Sequence, residues 1–350
     1  MIRVQCRGII GIYLGSRVDQ KFIKDCLEFF GKKPKRIAFV DKVLSTSLAI
    51  FIGELFEAGH DVAGFYDHHW IDDPRSDVSE GMNCRLDILS SVEHLVMTTR
   101  EESLSATELV EHGEWQKRKI QIVFFDKDMD GFLGFLRGCG VNYASIVNDA
   151  RAFDAPGAGY TLSPLGLLLF DLQFLSPHKD SNRDAYSKTH REYLISFIRI
   201  LEGQISKEES EAFNERVCAA KKRANDNAVN ILENAIWYPG GLVLFDCAPI
   251  NRSGEHVCHS LLKRKARQLF VGEGEVKAFA FTYIGELDRG VRVCVAINRR
   301  AHKKISMFDV RGRTSSSEMR HMNLDEFGYF VKNWEDAVAR KFGYYTLRAG

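Results

Sequence analysis

Two short segments hold the residue types that could do chemistry. Tyr66-Asp67-His68-His69 closes an apolar run led by Val62, Gly64 and Phe65. Asp126-Lys127-Asp128-Met129-Asp130-Gly131 closes another, led by Ile120, Ile122, Val123, Phe124 and Phe125. Both runs read as short buried strands that stop at a polar turn. In an open α/β sheet, ligand sites form at the carboxyl edge of the strands. The two strand ends together offer four carboxylates and two imidazoles. Carboxylates gathered in one place repel one another unless cations neutralise them, so a metal site is the leading reading. Manganese and magnesium suit such a set, because they favour carboxylate oxygens, accept imidazole and keep positions open for water and phosphate.

The elements that must position these residues alternate from the start. Ile37-Ala38-Phe39-Val40 is a short buried strand ending at Asp41, and Ser45 to Ala58 is a helix with Leu48, Phe51, Ile52, Leu55 and Phe56 on one face. The next strand runs from Asp61 to Tyr66, and this strand–helix–strand rhythm implies a parallel sheet. Residues 86–118 read as helical, with Glu101, Glu102, Glu108 and Glu111 on solvated faces, before the strand over 120–125. Ser163-Pro164 opens a helix through Phe174. Residues 176–190 read as a loop, and Lys207 to Ile236 as one long connecting helix. Tyr238-Pro239-Gly240-Gly241 marks a boundary. Beyond it come a strand at 242–245, a basic helix at 254–270, strands at 277–284 and 291–298, and a last amphipathic helix at 325–342. The expected organisation is a metal-binding α/β domain over 1–200, a helical connector over 201–237 and a smaller α/β domain over 238–350.

Composition narrows the class. With 350 residues, 45% of them hydrophobic, the chain can bury two or three ordinary cores. A net charge of +1 gives no global field toward nucleic acid or membrane, so a short anion is a more natural substrate than a long polyanion. The eight cysteines are scattered without a Cys-x-x-Cys pair, which suits reduced thiols and a cytoplasmic protein. The start, Met1-Ile2-Arg3-Val4-Gln5, has no signal-peptide core, and no stretch approaches the roughly 20 apolar residues of a membrane span.

Asp-His-His after one strand and Asp-x-Asp-Gly after another resemble the DHH phosphoesterase superfamily. That family includes RecJ-type exonucleases, phosphodiesterases of short oligonucleotides and cyclic dinucleotides, and a class of inorganic pyrophosphatases. The resemblance implies an α/β catalytic domain with a parallel sheet, two divalent metals (usually manganese, with magnesium as the alternative), and a smaller associated α/β domain that holds the substrate. It covers most of the chain, with sharp motifs only in the first domain. In the family the Asp-x-Asp motif comes first, a lone Asp second and Asp-His-His third. Here Asp41 serves as the lone Asp and Asp-x-Asp follows Asp-His-His, which implies a circular permutation of the sheet.

By that resemblance Asp128 binds one metal and Asp130 the other, and Asp41 bridges them. His68 and Asp149 complete the second metal, with Asp154 as the alternative to Asp149. His69 faces the scissile phosphate and Asp67 orients an imidazole. The position two before the first Asp of the pair, usually His, is Asp126, an oxygen ligand that would add negative charge. Arg299 and Arg300, at the end of the 291–298 strand, would grip substrate phosphate. The family's Gly-rich, His-containing loop is replaced by Lys341-Phe342-Gly343-Tyr344-Tyr345, whose tyrosines could stack on a base.

Blander readings stand beside these. Asp-Lys-Asp-Met-Asp-Gly also resembles the start of a calcium loop, with Gly131 at position six; position twelve, however, is Arg137 where a bidentate Glu belongs. Asp41 could be a helix cap and Asp149 a solvated turn. Arg299 and Arg300 could be a solvated strand end, and Lys263, Arg264, Lys265 and Arg267 form a basic patch on one helix that reads as a solvated face or a nucleic-acid contact.

The expected activity is that of a hydrolase, a metal-dependent phosphodiesterase or nuclease acting on short oligonucleotides or small nucleotide phosphodiesters. The alternatives are a catalytically silent, nucleotide- or protein-binding relative and a single-strand exonuclease. A homodimer is compatible with this reading, and a membrane partner is not.

Overall fold

The computed structural model describes residues 2–14, 18–42, 44–68, 87–98, 102–126, 128–154, 159–179, 181–269, 276–284, 290–297 and 319–342. The chain divides into two compact units, Met1–Gln173 with Ser187–Asn214, and Phe174–Tyr186 with Glu215–Gly350. Both are mixed α/β, each built on one sheet.

The first unit carries six strands: β1 (Ile2–Cys6), β2 (Ile9–Leu14), β3 (Arg36–Val40), β4 (Asp61–Asp67), β5 (Leu95–Met97) and β6 (Ile122–Asp126). Their order in space is β1-β2-β6-β3-β4-β5. Only the β1–β2 hairpin is antiparallel; β2–β6, β6–β3, β3–β4 and β4–β5 are parallel. Thus β6, late in the chain, lies in the middle of the sheet beside β3. Apolar runs such as Ile122-Val123-Phe124-Phe125 form these strands because both faces of a parallel sheet are covered.

Two helices, α1 (Gln20–Phe30) and α2 (Thr46–Glu57), pack on one face through Phe30, Phe51 and Ile52. There Phe124 stacks on Phe39 with centroids 5.0 Å apart. The next residue, Phe125, points to the other face and stacks on Phe135 of α4 (Met129–Gly138) at 5.3 Å. Truncating any of these rings to Ala would cost about 3–5 kcal/mol. Ser45 caps α2 by accepting from the Leu48 amide at 3.2 Å, as its position before the apolar run predicts.

The segment 86–118 is not one helix. Among its described residues are β5, the 3₁₀ turn Ala106–Leu109 and the single-turn helix α3 (Glu114–Lys117). Two glutamates in this stretch are structural. Glu114 is buried and accepts from the Tyr66 hydroxyl at 2.6 Å and from Arg118 at 2.8 Å, and Glu108 binds Arg151 at 2.6 Å. Tertiary partners overrode a weak local pattern. The chain continues through α5 (Ile146–Asp154), α6 (Pro164–Asp171), α7 (Arg183–Leu201) and α8 (Lys207–Glu233). Ser163-Pro164 opens α6 as expected, but α7 begins inside the segment expected to be a loop. The Asn182 side chain starts it by capping the Ala185 amide at 3.0 Å.

The second unit has the strand order β11-β10-β9-β8-β7, from β7 (Ile236–Tyr238), β8 (Leu242–Phe245), β9 (Ala278–Ile284), β10 (Val291–Ile297) and β11 (Met319–Asn323). Only β8–β9 is parallel. One face is covered by α11 (Leu324–Phe342) through Phe327, Phe330 and Trp334. On the other, Phe245, Phe279 and Phe281 pack with Ala224 and Ala228 of α8 and Leu262 of α10 (His259–Leu269). The basic helix is shorter than expected, because a separate turn of helix, α9 (Ala248–Ser253), ends at Gly254 in the left-handed region. Among the described residues, no helix is long and apolar enough to cross a membrane.

Candidate metal centre

Parallel register sets the geometry. Val40 pairs with Tyr66 on one side and with Phe125 on the other, so the next residues, Asp41, Asp67 and Asp126, reach the carboxyl edge at one level. The Asp41 amide donates to the Tyr66 carbonyl at 2.8 Å. Asp41 itself has φ +56°, in the left-handed region that Asp tolerates better than most residues, and its carboxylate is buried. Strain of this kind concentrates at functional sites.

The chain then turns from β6 into α4, bringing two more carboxylates. Asp128 is the helix cap and accepts from the Gly131 amide at 3.0 Å. Gly131 is required by close approach, since a Cβ there would stand 2.7 Å from the Asp126 backbone nitrogen. Asp130, fully buried, is clasped by the 3₁₀ turn. Its Oδ2 accepts from the Ala106 amide at 2.6 Å, and its Oδ1 from the Thr107 amide at 3.0 Å and hydroxyl at 2.6 Å.

His68 completes the set. Its Nδ1 lies 3.2 Å from the Ser103 carbonyl oxygen, which can only accept, so Nδ1 carries a proton. Its Nε2 faces Asp154 Oδ2 at 3.3 Å, Asp41 Oδ1 at 3.5 Å and Asp130 Oδ2 at 3.7 Å. A cation among these atoms would bind Nε2 and the carboxylate oxygens together. A ring N–H held by a backbone carbonyl is also the usual support of a metal-bound imidazole. Ligand atoms of Asp41, His68 and Asp130 lie within 4.8 Å of one another, as do those of Asp41, Asp126 and Asp128. Asp41 belongs to both groups.

The electrostatics agree. Burial, then the neighbouring Asp128 and Asp130, push the Asp41 carboxyl well above the ordinary range. Burial also raises Asp128, and it raises Asp130 to about 7 against the opposing hydrogen bonds from Thr107. Carboxylates raised in this way by burial and by one another are relieved by a cation among them. Oxygen-rich donors with one imidazole fit a hard divalent cation.

Several expected residues take other places. Asp149 is not brought into either donor group: its carboxylate accepts from the Tyr143 hydroxyl at 2.6 Å and from the Ser163 amide and hydroxyl at 2.6 and 2.5 Å. Asp154, weighed against it, sits five residues on along the same helix and faces His68. Asp67 is buried at the end of β4 and belongs to neither group. His69, Arg299 and Arg300 lie outside the described residues. Two participants had no signal in the sequence: the Ala106–Thr107 clasp, which only folding brings to Asp130, and Lys42, whose ammonium lies 3.2 Å from Asp126 Oδ1.

No protein-family model and no curated protein matches the chain. Among solved structures, it is similar to a pGpG-specific phosphodiesterase, PggH from Vibrio cholerae, at 9% identity and a TM-score of 0.38, covering 88% of this chain and 100% of that one. An exopolyphosphatase-related protein from Bacteroides fragilis is similar at 12% identity and a TM-score of 0.27, covering 92% and 96%. The candidate centre itself stands on the convergence of Asp41, His68, Asp126, Asp128 and Asp130, brought together from three strand ends.

Proposed function

We propose that the chain is a two-metal phosphoesterase that hydrolyses short oligonucleotides or small nucleotide phosphodiesters. One observation carries the reading: Nε2 of His68 lies 3.3 to 3.7 Å from three carboxylates, beside a second carboxylate group that shares Asp41. His68, Asp130 and Asp154 would hold one cation with Asp41, and Asp126 and Asp128 the other. Manganese, or magnesium in its place, would polarise the phosphate and lower the pKa of an attacking water when bound.

The chain's own groups have separate tasks in this reading. The clasp on Asp130 and the Ser103 contact on His68 hold their donors in place before substrate arrives, so little reorganisation accompanies reaction. His69 is proposed to face the scissile phosphate and Asp67 to orient an imidazole. Arg299 and Arg300 are proposed to grip a neighbouring phosphate through paired guanidinium hydrogen bonds.

The test is hydrolysis of bis(4-nitrophenyl) phosphate with manganese, extended to a panel of short oligonucleotides, a cyclic dinucleotide and pyrophosphate, and repeated with chelator. Manganese-dependent cleavage of a diester, abolished by chelator and by Asp130→Ala, is expected. No turnover of any panel member at millimolar manganese would overturn the reading.

A further inference from the structure

Lys42 follows Asp41 at the end of β3 and is buried, with its side chain 8% exposed. Its Nζ lies 3.2 Å from Asp126 Oδ1 and 3.4 Å from the Leu14 carbonyl oxygen. An ammonium taken out of water at this depth requires a carboxylate partner. Its partner, Asp126, is itself a member of the Asp41–Asp126–Asp128 donor group. The other group, Asp41–His68–Asp130, is made of three buried residues and does not include Asp126.

We propose that Lys42 sets the affinity of the second cation position by holding Asp126. The inference rests on the two-metal reading above. A divalent cation entering the Asp126 group must share that carboxylate with a fixed positive charge. The sharing weakens the oxygen as a donor and adds a direct repulsion between like charges in a poorly solvated place. The two positions are therefore unequal. The buried one at His68 fills first, and the one beside Lys42 fills only at higher free metal. Occupancy of the pair then follows the metal supply.

Titration of the metal-free protein with manganese, read from the spin-resonance signal of the free ion, tests this without turnover. Wild type should show a tight and a weak step. Lys42→Met should tighten the weak step by about tenfold or more while leaving the tight one in place. Lys42→Arg, which keeps the charge, should stay close to wild type, and Lys42→Met with Asp126→Asn should lose the gain. Lys42→Gln, equally neutral, is the substitute should the methionine variant not fold. An unchanged or looser weak step in a folded neutral variant overturns the proposal, as does an equal gain in Lys42→Arg. Wild type that takes up no manganese overturns the two-metal reading itself, a result distinct from two unaltered steps.

Discussion

Thr107 holds Asp130 from two directions at once. Its hydroxyl lies 2.6 Å from Oδ1 and 2.8 Å from the Asp130 carbonyl oxygen, and its amide donates to Oδ1 at 3.0 Å. A residue on a turn thus fixes the rotamer of a carboxylate at the start of a helix, with 22 residues between them in the chain. The consequence is that Asp130 can offer a cation little more than Oδ2.

Thr107→Val keeps the shape and removes the hydroxyl. A buried carboxylate that loses such a donor costs about 1–3 kcal/mol. Urea denaturation should show that loss, and manganese titration should show weaker uptake at the His68 position. Stability within about 0.5 kcal/mol of wild type would mean that the hydroxyl contributes nothing net.

Gly131→Ala places a Cβ 2.7 Å from the Asp126 nitrogen and 3.0 Å from its carbonyl oxygen, against backbone that cannot rotate away. Relief requires α4 to move off β6, carrying Asp128 and Asp130 with it. The expected cost is roughly 1–3 kcal/mol in stability. The manganese-induced rise in melting temperature should fall with it. A variant that melts like wild type and binds manganese equally well would contradict the geometry.

Asp149 and Asp154 lie on one helix with different work. Asp149→Asn disturbs the contacts to Tyr143 and Ser163 and should destabilise by about 1–3 kcal/mol, with manganese affinity unchanged. Asp154, 13% exposed and 3.3 Å from His68, should behave in the opposite way. Asp154→Asn should weaken manganese binding and spare stability in chelator. Calorimetric titration of both variants decides between them, and a ligand role for Asp149 would reverse the pattern.

His178 links the second unit to pH. Burial first, then His256, Lys179 and His259, push its imidazole down to about 3, and its ring packs edge-on against His256 with centroids 5.0 Å apart. The folded state therefore binds fewer protons than the unfolded chain between about 3 and the ordinary 6.5. The stability contributed is present above 6.5 and is lost as pH falls. At pH 5 the loss should be on the order of 1 kcal/mol, after discounting for partial solvent access. Denaturant melts at pH 7.5 and 5 should show a smaller acid loss for His178→Asn than for wild type. Equal losses would place the acid sensitivity elsewhere.

The local patterns were enough to locate the strand ends. Ile37 to Val40, Val62 to Tyr66 and Ile122 to Phe125 are apolar because both faces of a parallel sheet are buried, and each stops where an Asp begins. Asp128 and Gly131 drew notice for their types and spacing, but that Asp128 caps the helix and that Gly131 lies against the Asp126 backbone are findings of the structure. What the chain alone could not show is which distant groups those ends meet. The motif order implied a permuted sheet but not that β6 inserts between β2 and β3, since strand order is a matter of pairing and leaves no mark on local periodicity. Asp149 and Asp154, five residues apart on one helix, differ only in what the rest of the fold sets against them. Ser163 and Tyr143 saturate the first, and His68 faces the second. The Thr107 clasp, the Ser103 contact that fixes the His68 proton, and the burial of Lys42 against Asp126 are long-range contacts of the same kind. Their partners are chosen by packing in three dimensions, and only the tertiary structure decided them.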